Sequence, residues 1–194
     1  MTNEVVAFDS FATCDTSLRG KRDRALLLFA WTSGGRRRSE VASAEMKFLQ
    51  RLAPCNFHYE LVHSNTNQSG MDRRENVKPA LGVAGEALEV WLVASDSREG
   101  ALFRSVLKGG HLGGPLSAAA VLDIVRPRSS LAGIEGIYSV HSTRSGFVIE
   151  AVRRKNSLPE TMAMTGHKSV ASVSLYARGS VWEDTLGAKL ADDL

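Results

Sequence analysis

Five residues in this chain of 194 have side chains suited to chemistry on a phosphodiester, and their spacing groups them. His141 and Arg144 stand three apart in His141-Ser142-Thr143-Arg144, a separation that puts both on one face of a helix. Thr165-Gly166-His167 follows, and Tyr176 comes nine residues after His167. A second arginine is offered far upstream by Gly35-Arg36-Arg37-Arg38-Ser39-Glu40. Arginine forks neutralise non-bridging phosphate oxygens. Histidine moves protons near neutral pH. A tyrosine hydroxyl can form a covalent intermediate.

The elements that must position these groups read as mostly helical. Asp15, Thr16 and Ser17 are all capable helix caps, and the firm apolar pattern runs from Lys21 through Ala25–Trp31 until Thr32-Ser33-Gly34-Gly35 stops it. Ser39 to Leu52 reads as a second helix with a short break, ended by Pro54. Phe57 to Val62 alternates like a strand. The polar run His63–Arg74 reads as a hairpin turn, and Val77–Leu81 as a returning strand that Pro79 confines to an edge. Gly85–Ala94 is helical, with Leu88, Trp91 and Leu92 on its apolar side. Gly109–Pro115 reads as a loop, and the absence of a following Lys-Ser/Thr argues against a nucleotide cradle. Helices are expected from Ser117 to Arg126, His141 to Arg153, Ser157 to Met164 and Val170 to Tyr176, with a short amphipathic tail at Trp182–Leu190. The expected fold class is α+β, mainly helical with a small antiparallel sheet.

The length suits one domain with a sizeable core. The net charge is only +3, but Arg19, Lys21, Arg22, Arg24, Arg36, Arg37 and Arg38 face Asp23 alone in the segment they span. Such clustering suits a polyanion, most naturally nucleic acid; a solvated basic face is the plainer reading. Cys14 and Cys55 are too few for a disulfide framework or metal site and read as reduced thiols of a cytoplasmic protein. No apolar run approaches the ~18 residues that span a bilayer, and the N-terminus lacks a signal-peptide pattern.

In order along the chain, these motifs resemble the boxes of the tyrosine recombinase (phage-type integrase) catalytic domain. Gly35-Arg36-Arg37-Arg38-Ser39-Glu40 resembles the Gly-x-Arg-x-Ser-Glu box, His141-Ser142-Thr143-Arg144 the His-x-x-Arg box, and Thr165-Gly166-His167 the box whose last position holds histidine or tryptophan. Tyr176 falls at the nucleophile position. The resemblance implies that Arg37 and Arg144 clamp the scissile phosphate and that Tyr176 attacks phosphorus to give a 3′-phosphotyrosyl link. It implies that His141 accepts or orients a proton, that His167 hydrogen-bonds a non-bridging oxygen, and that Glu40 supports Arg37 or His141. Arg36 and Arg38 flank the box. Bond energy is conserved in such a transfer, so no metal, nucleotide or other cofactor is expected. The expected partner is double-stranded DNA, with self-association on it through the C-terminal tail, and no membrane.

Two departures shape the expectation. The family places a catalytic lysine in the hairpin turn, where this chain has Ser64-Asn65-Thr66-Asn67-Gln68. Asn65 has no usable acidic proton, and general-acid help is worth ~10²–10⁴-fold in rate. Cleavage is therefore expected to be slowed unless Lys78 or His63 substitutes. The family also carries an N-terminal DNA-gripping domain, for which this sequence leaves no room. The chain thus reads as a single catalytic domain, either a fragment or a short relative. The alternatives are a cleavage-deficient DNA-binding module of the same fold, a domain that only relaxes supercoils as type IB topoisomerases do, and a helical regulator with no DNA role.

Overall fold

A computed structural model describes residues 11–61, 76–132 and 140–177, apart from the side chains of 140–142 and 175–177. The first helix, α1 (Leu18–Thr32), starts where Ser17 Oγ accepts the Gly20 N–H at 3.1 Å. It is the spine of the core. Leu26, Leu28 and Phe29 are buried against the helix α3 (Val83–Ser95), whose Leu88 and Trp91 are fully enclosed. Trp91 Nε1–H donates to the Leu102 carbonyl at 2.9 Å, so its polar edge is satisfied inside the core. Phe29 meets Tyr59 and Phe103 edge-on at 5.0 and 5.5 Å.

Between these helices lie the short α2 (Arg38–Ala42) and a three-stranded antiparallel sheet in the order β1 (Leu49–Ala53), β2 (Asn56–Glu60), β3 (Val77–Ala80). β3 is an edge strand, as Pro79 requires. The helix expected to run on to Leu52 instead ends at Ala42, and a single 3₁₀ turn at Met46–Phe48 leads into β1. Leu49 pairs with Tyr59 and Arg51 with Phe57, and four of the five β1 residues are exposed. A strand exposed on both faces shows no alternation, so only its non-local pairing reveals it.

The glycine-rich segment expected to be a loop forms the second arm of another hairpin, β4 (Arg104–Val106) with β5 (Leu112–Pro115). Glycine hides the strand signal, and Arg104 Nε supports it by donating to the Gly113 carbonyl at 2.8 Å. Helix α4 (Ala118–Leu131) starts at Ser117 as expected and continues through Pro127. It is followed by α5 (Val140–Arg153), α6 (Leu158–Thr165) and α7 (Val170–Ala177), which pack on one another. Ser157 and Glu160 form a reciprocal capping box at the start of α6, with Pro159 in its first turn. The expected hairpin turn at 63–74 and the tail at 182–190 lie outside the described residues. Among the described residues, no helix is long and apolar enough to cross a membrane.

Part of the basic segment is used inside the fold. Arg22 is 5% exposed and lies 2.7 Å from Asp23, which also pairs with Arg128 at 2.9 Å. Arg19 and Arg24 donate to the carbonyls of Val106 and Phe11. Three of the seven clustered cations, Arg19, Arg22 and Arg24, therefore brace α1, while Arg38 is exposed.

Candidate active site

The site is assembled where the turn between α1 and α2 meets α5 and α6. Gly34 and Gly35 make that turn with φ of +96° and +69°, a region that favours glycine. Both are also needed for close approach. A Cβ on Gly34 would lie 2.1 Å from the Met164 carbonyl oxygen, and one on Gly35 2.4 Å from Arg144 Cα. The Trp31 ring packs edge-on against Phe147 at 6.0 Å, holding α5 to the end of α1. The box arginines are thus brought face to face with the His-x-x-Arg helix by backbone contact.

Glu40 joins the two halves. Its Oε2 accepts the main-chain N–H of Arg37 at 2.7 Å, capping α2, and lies 3.7 Å from Arg144 Nη2. Its Oε1 lies 3.7 Å from Arg36 Nη1. Arg144 Nε also donates to the Gly35 carbonyl at 3.4 Å. Arg37 is half-buried at the first residue of the turn into α2, and Arg38 is exposed.

Arg36 differs sharply from its two neighbours. It is 3% exposed, and its Nη2 donates to the Met164 carbonyl in the last turn of α6. Burial, opposed by Glu40 and reinforced by Arg144 and Arg37, pushes its pKa down to about 10. Its Nε is enclosed without a hydrogen-bond partner. Lys78 on β3 reaches the same helix end, where its Nζ donates to the Ala163 carbonyl at 2.5 Å. Two cations thus cap successive carbonyls at the negative pole of α6, and Gly166 closes it in the left-handed conformation, donating to the Met162 carbonyl at 2.7 Å.

That end of α6 delivers His167. Its Nδ1 lies 2.7 Å from Thr165 Oγ1. Its pKa is held below the ordinary histidine value, first by burial and then by Arg144, Arg37 and Arg36. Three arginines therefore act electrostatically on this one imidazole. His141 sits on α5 in the turn before Arg144, and Tyr176 on α7, which packs against α5 and α6. The side chains of both, and all of Asn65 and His63, lie outside the described residues. Lys78 is 4% exposed and committed to a carbonyl. Neither the burial of Arg36 nor the contact of the Thr165 hydroxyl is signalled by residue type, which does not separate either from its neighbours.

Three arginines close enough to act on one imidazole make a basic cluster, which suits an anionic group such as a phosphate diester. The phage integrase family matches residues 4–181. The chain belongs to that family. It is 29% identical over 176 residues to an integrase/recombinase xerD homolog of Selenomonas ruminantium, covering 88% of this chain and 51% of that protein. It is 28% identical over 160 residues to the tyrosine recombinase XerD of Chlorobaculum tepidum, covering 80% of this chain and 48% of that one. The chain thus spans about half the length of these curated relatives. Among solved structures, XerA recombinase superposes with a TM-score of 0.64 at 19% identity, covering 91% of this chain and 59% of that one. XerH site-specific recombinase bound to a palindromic difH substrate, a post-cleavage complex, gives 0.66 at 18% identity, covering 93% and 49%. The fold of this phage integrase family member is that of a tyrosine recombinase catalytic domain.

Proposed function

We propose that this chain is the catalytic domain of a site-specific DNA recombinase that cleaves and rejoins DNA through Tyr176. The observation that carries the reading is Glu40, whose carboxylate holds the main chain of Arg37 and the guanidinium of Arg144. The two sequence boxes that supply phosphate-binding arginines are thereby fastened to one anchor. Arg37 and Arg144 bind the non-bridging oxygens and stabilise charge in the pentacoordinate transition state. Tyr176 attacks phosphorus and the 5′ oxygen departs; reversal by another 5′ hydroxyl rejoins the strand. His141 orients or accepts the tyrosine proton. His167 binds a non-bridging oxygen. The transfer uses no cofactor. Double-stranded DNA is the partner, and the tail near Trp182–Leu190 mediates self-association on it.

Asn65 at the lysine position supports a second reading, in which the fold binds DNA but cleaves it poorly. A duplex nicked near the cleavage site traps the covalent adduct and separates the two. Under the first reading, wild type forms the adduct and Arg37→Ala and Arg144→Ala do not. Under the second, wild type binds DNA without an adduct, and Asn65→Lys gains one. A chain that binds no DNA at any salt concentration contradicts both.

A further inference from the structure

Thr165 closes α6 and is 0% exposed. Its Oγ1 donates to the Thr161 carbonyl at 2.8 Å, with the Met162 carbonyl at 3.4 Å as a second acceptor. The same oxygen lies 2.7 Å from His167 Nδ1. A carbonyl can only accept and a hydroxyl has one proton, so that proton is directed into the helix. Towards the imidazole, Oγ1 can then only accept. Nδ1 must carry hydrogen, and in the uncharged ring Nε2 is the nitrogen without one.

Among the described residues, the charged groups around this ring come from three elements. Arg36 and Arg37 belong to the α1–α2 turn, Arg144 to α5, and Glu40 of α2 pairs with Arg36 and Arg144. Lys168 follows His167 and is exposed. Burial and the three arginines all oppose a further positive charge on the imidazole. A neutral ring in this tautomer can accept a proton at Nε2 but cannot donate there to a phosphate oxygen.

We propose that Thr165 is a positioning residue that fixes the tautomer of His167, so that His167 donates from Nε2 to a DNA phosphate only after taking a proton from solvent. This rests on the reading of the site as a phosphodiester clamp. The diester's negative charge offsets the arginines and makes the protonated ring favourable in the complex. The N–H bond forms at Nε2 and the buffer acid loses the proton, so DNA binding is coupled to proton uptake.

Two measurements test this separately. In the free protein at pH 7.5, ¹⁵N NMR of the His167 ring should show hydrogen on Nδ1 in wild type and Thr165→Ser. In Thr165→Val, which keeps the shape and loses the hydroxyl, hydrogen should shift to Nε2. Calorimetry of duplex binding in buffers of differing ionisation enthalpy should show wild type and Thr165→Ser taking up more protons than Thr165→Val, the difference approaching about one per bound chain. The freed Nε2–H tautomer of the valine variant can donate without charging. A wild-type ring with hydrogen on Nε2, or equal proton uptake in wild type and Thr165→Val, overturns the proposal. Failure to bind duplex DNA overturns the functional reading instead, and the NMR result then decides the role of Thr165 alone.

Discussion

Glu40 and Arg144, from boxes at opposite ends of the chain, form an ion pair with Oε2 3.7 Å from Nη2, and Arg36 takes the other carboxylate oxygen. One carboxylate thus balances two enclosed guanidinium groups. Removing its charge takes this shared carboxylate from both, and breaking a buried ion pair typically costs ~3–5 kcal/mol. Glu40→Gln is expected to lower Tm by about 6–20 °C at this chain length, measured by thermal unfolding. It is also expected to slow covalent adduct formation, because Arg144 loses its anchor. A Tm within a degree of wild type would show that the carboxylate does not organise the site.

The contact of Gly35 with α5 gives a second prediction. In Gly35→Ala the new methyl group meets Arg144 Cα at 2.4 Å and the Thr143 carbonyl oxygen at 2.6 Å, at a φ of +69°. Gly82→Ala is the control, with a φ of +54° and nothing within 4 Å. The control bears only the positive-φ backbone cost, on the order of 1–3 kcal/mol. Gly35→Ala is expected to lose more stability by chemical denaturation and to abolish the adduct, since α1–α2 must separate from α5. Equal losses in the two variants would contradict the close approach.

Stability should depend on the protonation of His167 with a definite sign. Its folded-state pKa is lowered, so between that value and the unfolded ~6.5 the unfolded chain binds more protons. The contribution is complete above about pH 6.5 and is lost as pH falls through the folded value. Wild-type Tm should therefore fall more steeply than that of His167→Gln between pH 7.5 and 5. A steeper fall in the glutamine variant would reverse the sign and exclude this electrostatic environment.

Lys78 allows the missing proton donor to be tested. Its ammonium group is enclosed and bonded to the Ala163 carbonyl, which suits capping of α6 better than delivery of a proton to DNA. Lys78→Met is expected to lose up to ~2 kcal/mol of stability. Any loss of cleavage in it should persist on a substrate with a 5′-bridging sulfur, which needs no general acid. Asn65→Lys should instead speed cleavage of the ordinary oxygen substrate by ~10²–10⁴-fold. Full sulfur rescue of Lys78→Met would make Lys78 the acid.

Burial of arginines leaves the salt dependence of DNA binding to the exposed cations. Arg22→Ala should destabilise the fold and leave the slope of log affinity against log salt unchanged, because Arg22 is sealed against Asp23. Lys168→Ala, at an exposed position beside His167, should reduce that slope by about one. The opposite pattern would place DNA along α1.

Helices with local signals were readable from sequence. Ser17, one of three candidate caps, starts the first helix, and Ser117 and Ser157 start two others, because caps and apolar periodicity act within a few residues. β1 and the β4–β5 hairpin were not, because Leu49–Ala53 is stabilised by pairing with β2 and Leu112–Pro115 is rich in glycine. The boxes singled out Arg37, Glu40, Arg144 and His167, which the fold brings into one neighbourhood. They could not separate Arg36 from Arg37 and Arg38. Which of three consecutive arginines turns inward depends on the positive-φ turn at Gly34-Gly35 and on carbonyls that α6 supplies from far along the chain. The pairing of Thr165 with His167 was likewise hidden, since it needs the left-handed bend at Gly166.

Identifying the residue linked to DNA tests the phosphoryl-transfer role of Tyr176 most directly. A nicked duplex with a 5′-bridging sulfur is incubated with the chain, and the DNA-linked peptide is sequenced by mass spectrometry. The expected result is a phosphodiester on Tyr176, lost in Tyr176→Phe and in Arg144→Ala. A link through Tyr59 or Tyr138, or no link although the duplex is bound, would contradict the assignment of this cluster as a phosphoryl-transfer site.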